Sequence, residues 1–229
     1  MRRRGRLLLP LVVLGCSNLT EADGGVVAVE IRVPSPAVIE VGESLQLSAR
    51  GLNRNGDSVA TTLTWVTPDT TLTVDPATGV VTGRAPGTGR IQARSGSLAS
   101  AAVSFDVIAP ADTLILASDS VETFAADQPT SPALLVRLES FHPAGALAGR
   151  PVIYEITSPS ADQPLSVVLP NGTLSYTGVT GSDGVVSTAA LSRVAGATLP
   201  DSVVVQVRAA RTRGAAVPGS GQRFIVHLQ

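Results

Sequence analysis

Few side chains in this 229-residue sequence could do covalent or metal chemistry. It holds one cysteine, Cys16, and two histidines, His142 and His227. A nucleophilic triad needs a base oriented by an acid and facing a nucleophile. His142 sits in Phe141-His-Pro143, a loop pattern. His227 alternates with Val226 and Leu228 in a strand pattern that turns it toward solvent. There is no Gly-x-Ser-x-Gly elbow, no His-Glu-x-x-His and no phosphate-binding loop. Zinc wants about four ligands, more than two histidines and one cysteine supply. The 18 carboxylates offer no pair that spacing singles out. Asn53, Asn55 and Asp57 could hold calcium through oxygens, but a plain turn made of Asn, Gly and Asp has the same composition. The expectation is a chain that is not an enzyme, with no catalytic residues, no metal, no cofactor and no ligand-binding residues that can be named.

Cys16 is different, because of its position behind a distinctive leader. Residues 1–6 carry four arginines and no acid, and Leu7–Gly15 is a largely apolar run of nine. A basic start followed by a short apolar run is the pattern of an export signal. Nine residues cannot cross a bilayer, which takes roughly 20. The run ends in Val13-Leu14-Gly15-Cys16, which resembles the lipobox of bacterial lipoproteins. That resemblance implies a signal peptide at 1–15, cleavage between Gly15 and Cys16, and diacylglycerol on the Cys16 sulfur. Further acylation of the new amino group would follow, since one chain anchors marginally and two or more anchor stably. A lone cysteine also argues against a disulfide framework. Ser17, in place of an aspartate, resembles the outer-membrane class of these proteins. The expected address is the bacterial cell envelope, lipid-anchored, on the periplasmic or surface face.

Beyond the signal, residues 16–25 form a short polar lipidated tether. The remaining length suits two domains of about 100 residues each. Four of the 17 basic residues lie in the signal and none of the acidic ones do, so the mature chain is net acidic. A basic footprint for nucleic acid is therefore missing. Every basic residue is arginine. Val, Thr, Ser and Gly are abundant and aromatics rare, which favours strands and turns.

Residues 26–109 read as a first sandwich. In Ser44–Arg50, Leu45, Leu47 and Ala49 alternate with Gln46, Ser48 and Arg50, the period of a half-buried strand. Short strands then follow around 62–66, 72–74, 80–81, 90–93 and 101–107, separated by turn residues such as Asp75-Pro-Ala-Thr-Gly79. Trp65 could be a sugar-stacking platform, but it shares a strand face with Leu63, which favours the core. The segments Val33–Ala49, Leu63–Trp65, Val74–Gly83 and Ala85–Ala93, in that order, resemble bacterial Ig-like domains of group 2. That likeness implies an extracytoplasmic β-sandwich of the kind found in adhesins and surface-layer proteins, with no catalytic site to carry over.

Ala109-Pro-Ala-Asp112 reads as a linker, and residues 111–229 as a second Ig-like sandwich. Its seven strand candidates are Thr113–Leu116, Ala133–Leu138, Pro151–Ile156, Leu165–Leu169, Val185–Ala189, Ser202–Arg208 and Phe224–Leu228. The segments Leu147–Ile156, Thr180–Thr188 and Val203–Ala209 resemble invasin-type domains of group 1. Asp183-Gly184 is a hairpin turn by its chemistry. Loops 140–149 and 211–221 are the places to look for contacts.

The fold class expected is all-β: two tandem Ig-like β-sandwich domains behind a cleaved lipoprotein signal peptide. The expected partners are the membrane, through lipid on Cys16, and an envelope protein or polysaccharide, with no nucleic acid. The expected role is binding or structural, in adhesion or envelope contact. The alternative is a passive spacer subunit of a larger envelope complex.

Overall fold

The structure, a computed structural model, describes residues 25–159 and 165–229. The signal segment, the cleavage site Gly15–Cys16 and the tether up to residue 24 lie outside the described residues. Among the described residues every regular element is a strand, and no helix is long and apolar enough to cross a membrane. Buried apolar side chains form two clusters, one from Val29 to Val107 and one from Ala111 to Val226.

In the first sandwich, Ala28–Arg32 pairs antiparallel with Ser48–Leu52, which pairs with Ser58–Val59. The opposing sheet runs in the order Leu98–Ala99, Gly87–Ser95, Val103–Ile108, Val38–Glu40, and Thr64–Val66 also joins Gly87–Ser95. Val38–Glu40 lies parallel to Val103–Ile108, with Glu40 opposite Ile108. A three-stranded sheet of Ser44–Gln46, Val80–Gly83 and Leu72–Val74 completes it.

The strand expected across Ser44–Arg50 is divided. Ser44–Gln46 pairs with Val80–Gly83, whereas Ser48–Leu52 pairs with Ala28–Arg32. Leu47 is the crossing residue, and its N–H donates to Gly79 O at 3.1 Å. The alternation survives the change of sheet, because Leu47 stays buried between half-buried Leu45 and Ala49.

The second sandwich has a five-stranded sheet in the order Val121–Phe124, Arg223–Leu228, Ser202–Arg208, Pro151–Ser158, Ser175–Val179. Opposite it, Val136–Phe141 pairs with Thr113–Leu116 on one edge and with Ala144–Ala146 and Val185–Val186 on the other. Val167–Val168 and Ser192–Arg193 make a separate pair. Burial alternates strictly along Ser202–Arg208, where Val203, Val205 and Val207 are fully buried. Tyr154 is also fully buried, and its hydroxyl donates to Leu134 O at 3.1 Å. Burial pushes the Tyr154 phenol well above the ordinary tyrosine range, because a phenolate there would be stripped of water.

Four strands here are not among the seven expected: Val121–Phe124, Ala144–Ala146, Ser175–Val179 and Ser192–Arg193. The strand expected at Ala133–Leu138 is shifted to Val136–Phe141. The backbone before it is used otherwise: Leu134 N–H donates to Ala189 O, and Leu135 O accepts from Ala117 N–H, both at 2.7 Å.

Candidate functional site

The residues singled out for chemistry are dispersed and mostly structural. Trp65 is only 4 % exposed. A Cβ added to Gly79 would lie 2.5 Å from its indole, so the ring is roofed by the Asp75–Gly79 turn. Gly79 has a positive φ of 75°, which lets the chain pass that close. Trp65 is therefore core and not a stacking platform. Asn53 Oδ1 accepts from the N–H groups of Asn55 and Asp57, both at 2.9 Å, closing the turn on itself. Among the described residues no group of three or more His, Cys, Asp or Glu side chains is placed to hold a metal. His142 and His227 are both exposed, on opposite sheets of the second sandwich. Asp183 Oδ1 accepts from Val185 N–H at 3.0 Å, the local bond of a turn.

The most organised polar cluster lies between the sandwiches, at residues whose spacing in sequence gives no hint of it. Glu40 ends the edge strand of the first sandwich, and its side chain is 0 % exposed. Its Oε2 accepts the Ala111 N–H at 3.0 Å. Its Oε1 stands 2.8 Å from Arg150 Nη2 in an ion pair. The Arg150 N–H geometry favours the Ala109 carbonyl instead, at 2.7 Å, so Oε1 is paired by charge without an aligned hydrogen bond. Arg211 approaches Oε2 at 3.8 Å, donates from Nε to Ala111 O at 3.0 Å, and from Nη2 to Asp112 Oδ1 at 2.9 Å. Asp112 Oδ2 in turn accepts Phe141 N–H at 2.7 Å.

An outer rim surrounds this centre. Thr212 donates to Glu43 Oε2, and Arg213 Nη2 donates to Val38 O at 2.6 Å. The loop expected to carry contacts thus spends residues 211–213 on the linker and the first sandwich. Beside the cluster is a cleft of about 440 Å³, lined by Pro36, Val38 and Ile108 from one side and by Leu147, Arg150 and Thr212 from the other. A second, of about 260 Å³, shares Arg150 and Thr212 and extends past Ile153 and Arg208. Arg208 is itself ion-paired with Glu155. The arrangement neutralises charge and holds backbone; it sets no nucleophile beside a base.

Comparison with known proteins supplies a family for part of the chain. Residues 27–104 match the bacterial Ig-like domain (group 2). That segment is an Ig-like sandwich. No curated protein matches the chain. Among solved structures, the Yersinia pseudotuberculosis adhesin InvE is 17 % identical, with 88 % of this chain and 58 % of that one covered and a TM-score of 0.40. Domains 4 and 5 of the S-layer protein SbsC are 17 % identical, covering 89 % and 98 % with a TM-score of 0.31. The fibronectin(III)-like modules of Clostridium thermocellum CbhA are 16 % identical, covering 87 % and 94 % at 0.38. The chain spans little more than half the length of the adhesin structure.

Proposed function

We propose that this chain is a non-catalytic Ig-like module of the bacterial cell envelope, tethered by lipid on Cys16 and serving in binding or structural contact. The observation that carries the binding or structural role is the group 2 Ig-like segment at residues 27–104, a fold whose sandwich core leaves function to its surface. The anchor rests on Val13-Leu14-Gly15-Cys16 behind a basic and apolar leader. The second sandwich is assigned to the invasin-like group on its own segments, Leu147–Ile156, Thr180–Thr188 and Val203–Ala209. The partner is an envelope protein or polysaccharide.

Two experiments test this reading. Cys16→Ala is expected to release the protein from the membrane fraction of a bacterial host; persistent membrane association would remove the anchor. Glycan arrays and pull-downs with residues 26–229 are expected to return a reproducible ligand. Negative results in both would leave the spacer role, which one feature favours: the contacts of residues 211–213 are consumed within the chain itself.

A further inference from the structure

We infer that Glu40 locks the two sandwiches into a single rigid unit, and that this lock is completed only by cations from the second sandwich. Domains joined by a short linker ordinarily move relative to one another, unless a large apolar interface holds them. Here the linker is held another way. Pro110 and Ala111 are buried. Ala109 O is taken by Arg150, Ala111 N–H by Glu40, Ala111 O and the Asp112 carboxylate by Arg211. With hydrogen bonds at Ala109, Ala111 and Asp112 reaching to both sandwiches, the linker has no free rotation to act as a hinge.

The energetics point the same way. A carboxylate with no solvent exposure is tolerated only when charge and hydrogen bonds offset its lost hydration. The first sandwich supplies neither to Glu40: its cations, Arg150 and Arg211, and its N–H donor, Ala111, all come from beyond residue 108. Swinging the second sandwich away would strip Glu40 of every one of these partners at once. Thr212 on Glu43 and Arg213 on Val38 O then fix the rotation about that point, because they grip the same edge strand and the turn after it. One sandwich cannot tilt on the other without breaking both the buried centre and the rim. The chain transmits a pull or a contact at one end to the other as one body.

Hydrogen exchange read by mass spectrometry on the full chain tests this. In the native protein, peptides covering 109–112 and 211–215 are expected to be protected like the flanking strands. In Glu40→Ala their exchange is expected to accelerate on the order of 100-fold, the scale of breaking a buried ion pair. The core strands Val103–Ile108 and Ser202–Arg208 should keep their protection. Calorimetry should show one unfolding transition in the native chain and two in the variant. Unchanged protection at 109–112 and 211–215 in Glu40→Ala, or fast exchange there in the native chain, would overturn the lock. Should Glu40→Ala fail to fold, Arg211→Ala removes a cation from the partly exposed loop and carries the same expectation and the same refutation.

Discussion

The two sandwiches solve the same packing problem with different materials. The first closes a smaller cluster around two aromatics, fully buried Phe105 and Trp65, the latter roofed by the glycine of a tight turn. The second has no tryptophan and a larger cluster, built on aliphatic rows with Phe124, Phe224 and Tyr154 fully buried among them. Each large side chain of the first core, Trp65 and Phe105 above all, therefore carries a greater share of its burial. The second spreads its burial over many medium side chains and adds one polar bond, Tyr154 to Leu134 O. A smaller core loses a larger share of its burial at one position, whereas a larger core loses a smaller share.

The largest expected effect is at the concentrated core. Trp65→Ala should cost about 3–5 kcal/mol, read as a lowered midpoint in urea unfolding of the full chain. Phe224→Ala, Val203→Ala and Val205→Ala in the larger second core should each cost less; a Trp65→Ala loss no larger than theirs would erase the contrast. Next comes overpacking. A Cβ at Gly178 would lie 2.4 Å from Val186 Cγ1, so Gly178→Ala should cost about 1–3 kcal/mol. The paired change Gly178→Ala with Val186→Ala should recover part of it. Tyr154→Phe follows, leaving the Leu134 carbonyl without its phenol donor at a cost of about 1–3 kcal/mol. The sign with pH is set by the raised phenol: the folded state holds the proton more tightly than the unfolded chain. That contribution is whole below the ordinary tyrosine range, and stability falls as pH rises through it. Tyr154→Phe should flatten that alkaline slope.

The same contrast explains how much the sequence disclosed. The all-β sandwich architecture was legible, because alternation at Leu45, Leu47 and Ala49 and the turn Asp75–Gly79 are local signals. Long strands such as Pro151–Ser158 and Ser202–Arg208 announced themselves by regular apolar positions. Val121–Phe124, Ser175–Val179 and Ala144–Ala146 did not, since edge strands of three to five residues give little periodicity to read. Leu47 shows a further limit: alternation reports which way a side chain faces, not which sheet its backbone joins. The Glu40 lock was invisible, because Glu40, Arg150 and Arg211 are ordinary charged residues far apart in the chain, and only the packing of two sandwiches brings them together. Cys16, the most telling local motif, lies outside the described residues.

The smallest effect tests the surface of the first sandwich against its core. Asp69 accepts three hydrogen bonds from Arg90: its backbone N–H at 2.8 Å, and Nε and Nη2 at 3.0 Å each. These bonds, led by the guanidinium's, hold the Asp69 carboxyl below the usual aspartate range. Asp75 is lowered too, by the N–H and hydroxyl of Thr78 and then by the Ala77 N–H. A carboxyl whose folded value is depressed binds its proton less readily than the unfolded chain does. Its contribution is present above the ordinary aspartate range and is lost as pH falls through the folded value. Asp75 is exposed and Asp69 half-buried beside an exposed Arg90, so salt and water screen both and the effect stays below that of any core change. Unfolding of Asp69→Asn followed from pH 7 downward should show a shallower acid slope than the native chain. An unchanged slope would mean that the Arg90 fork orders the Asp69 loop without stabilising the fold, which its buried core then carries.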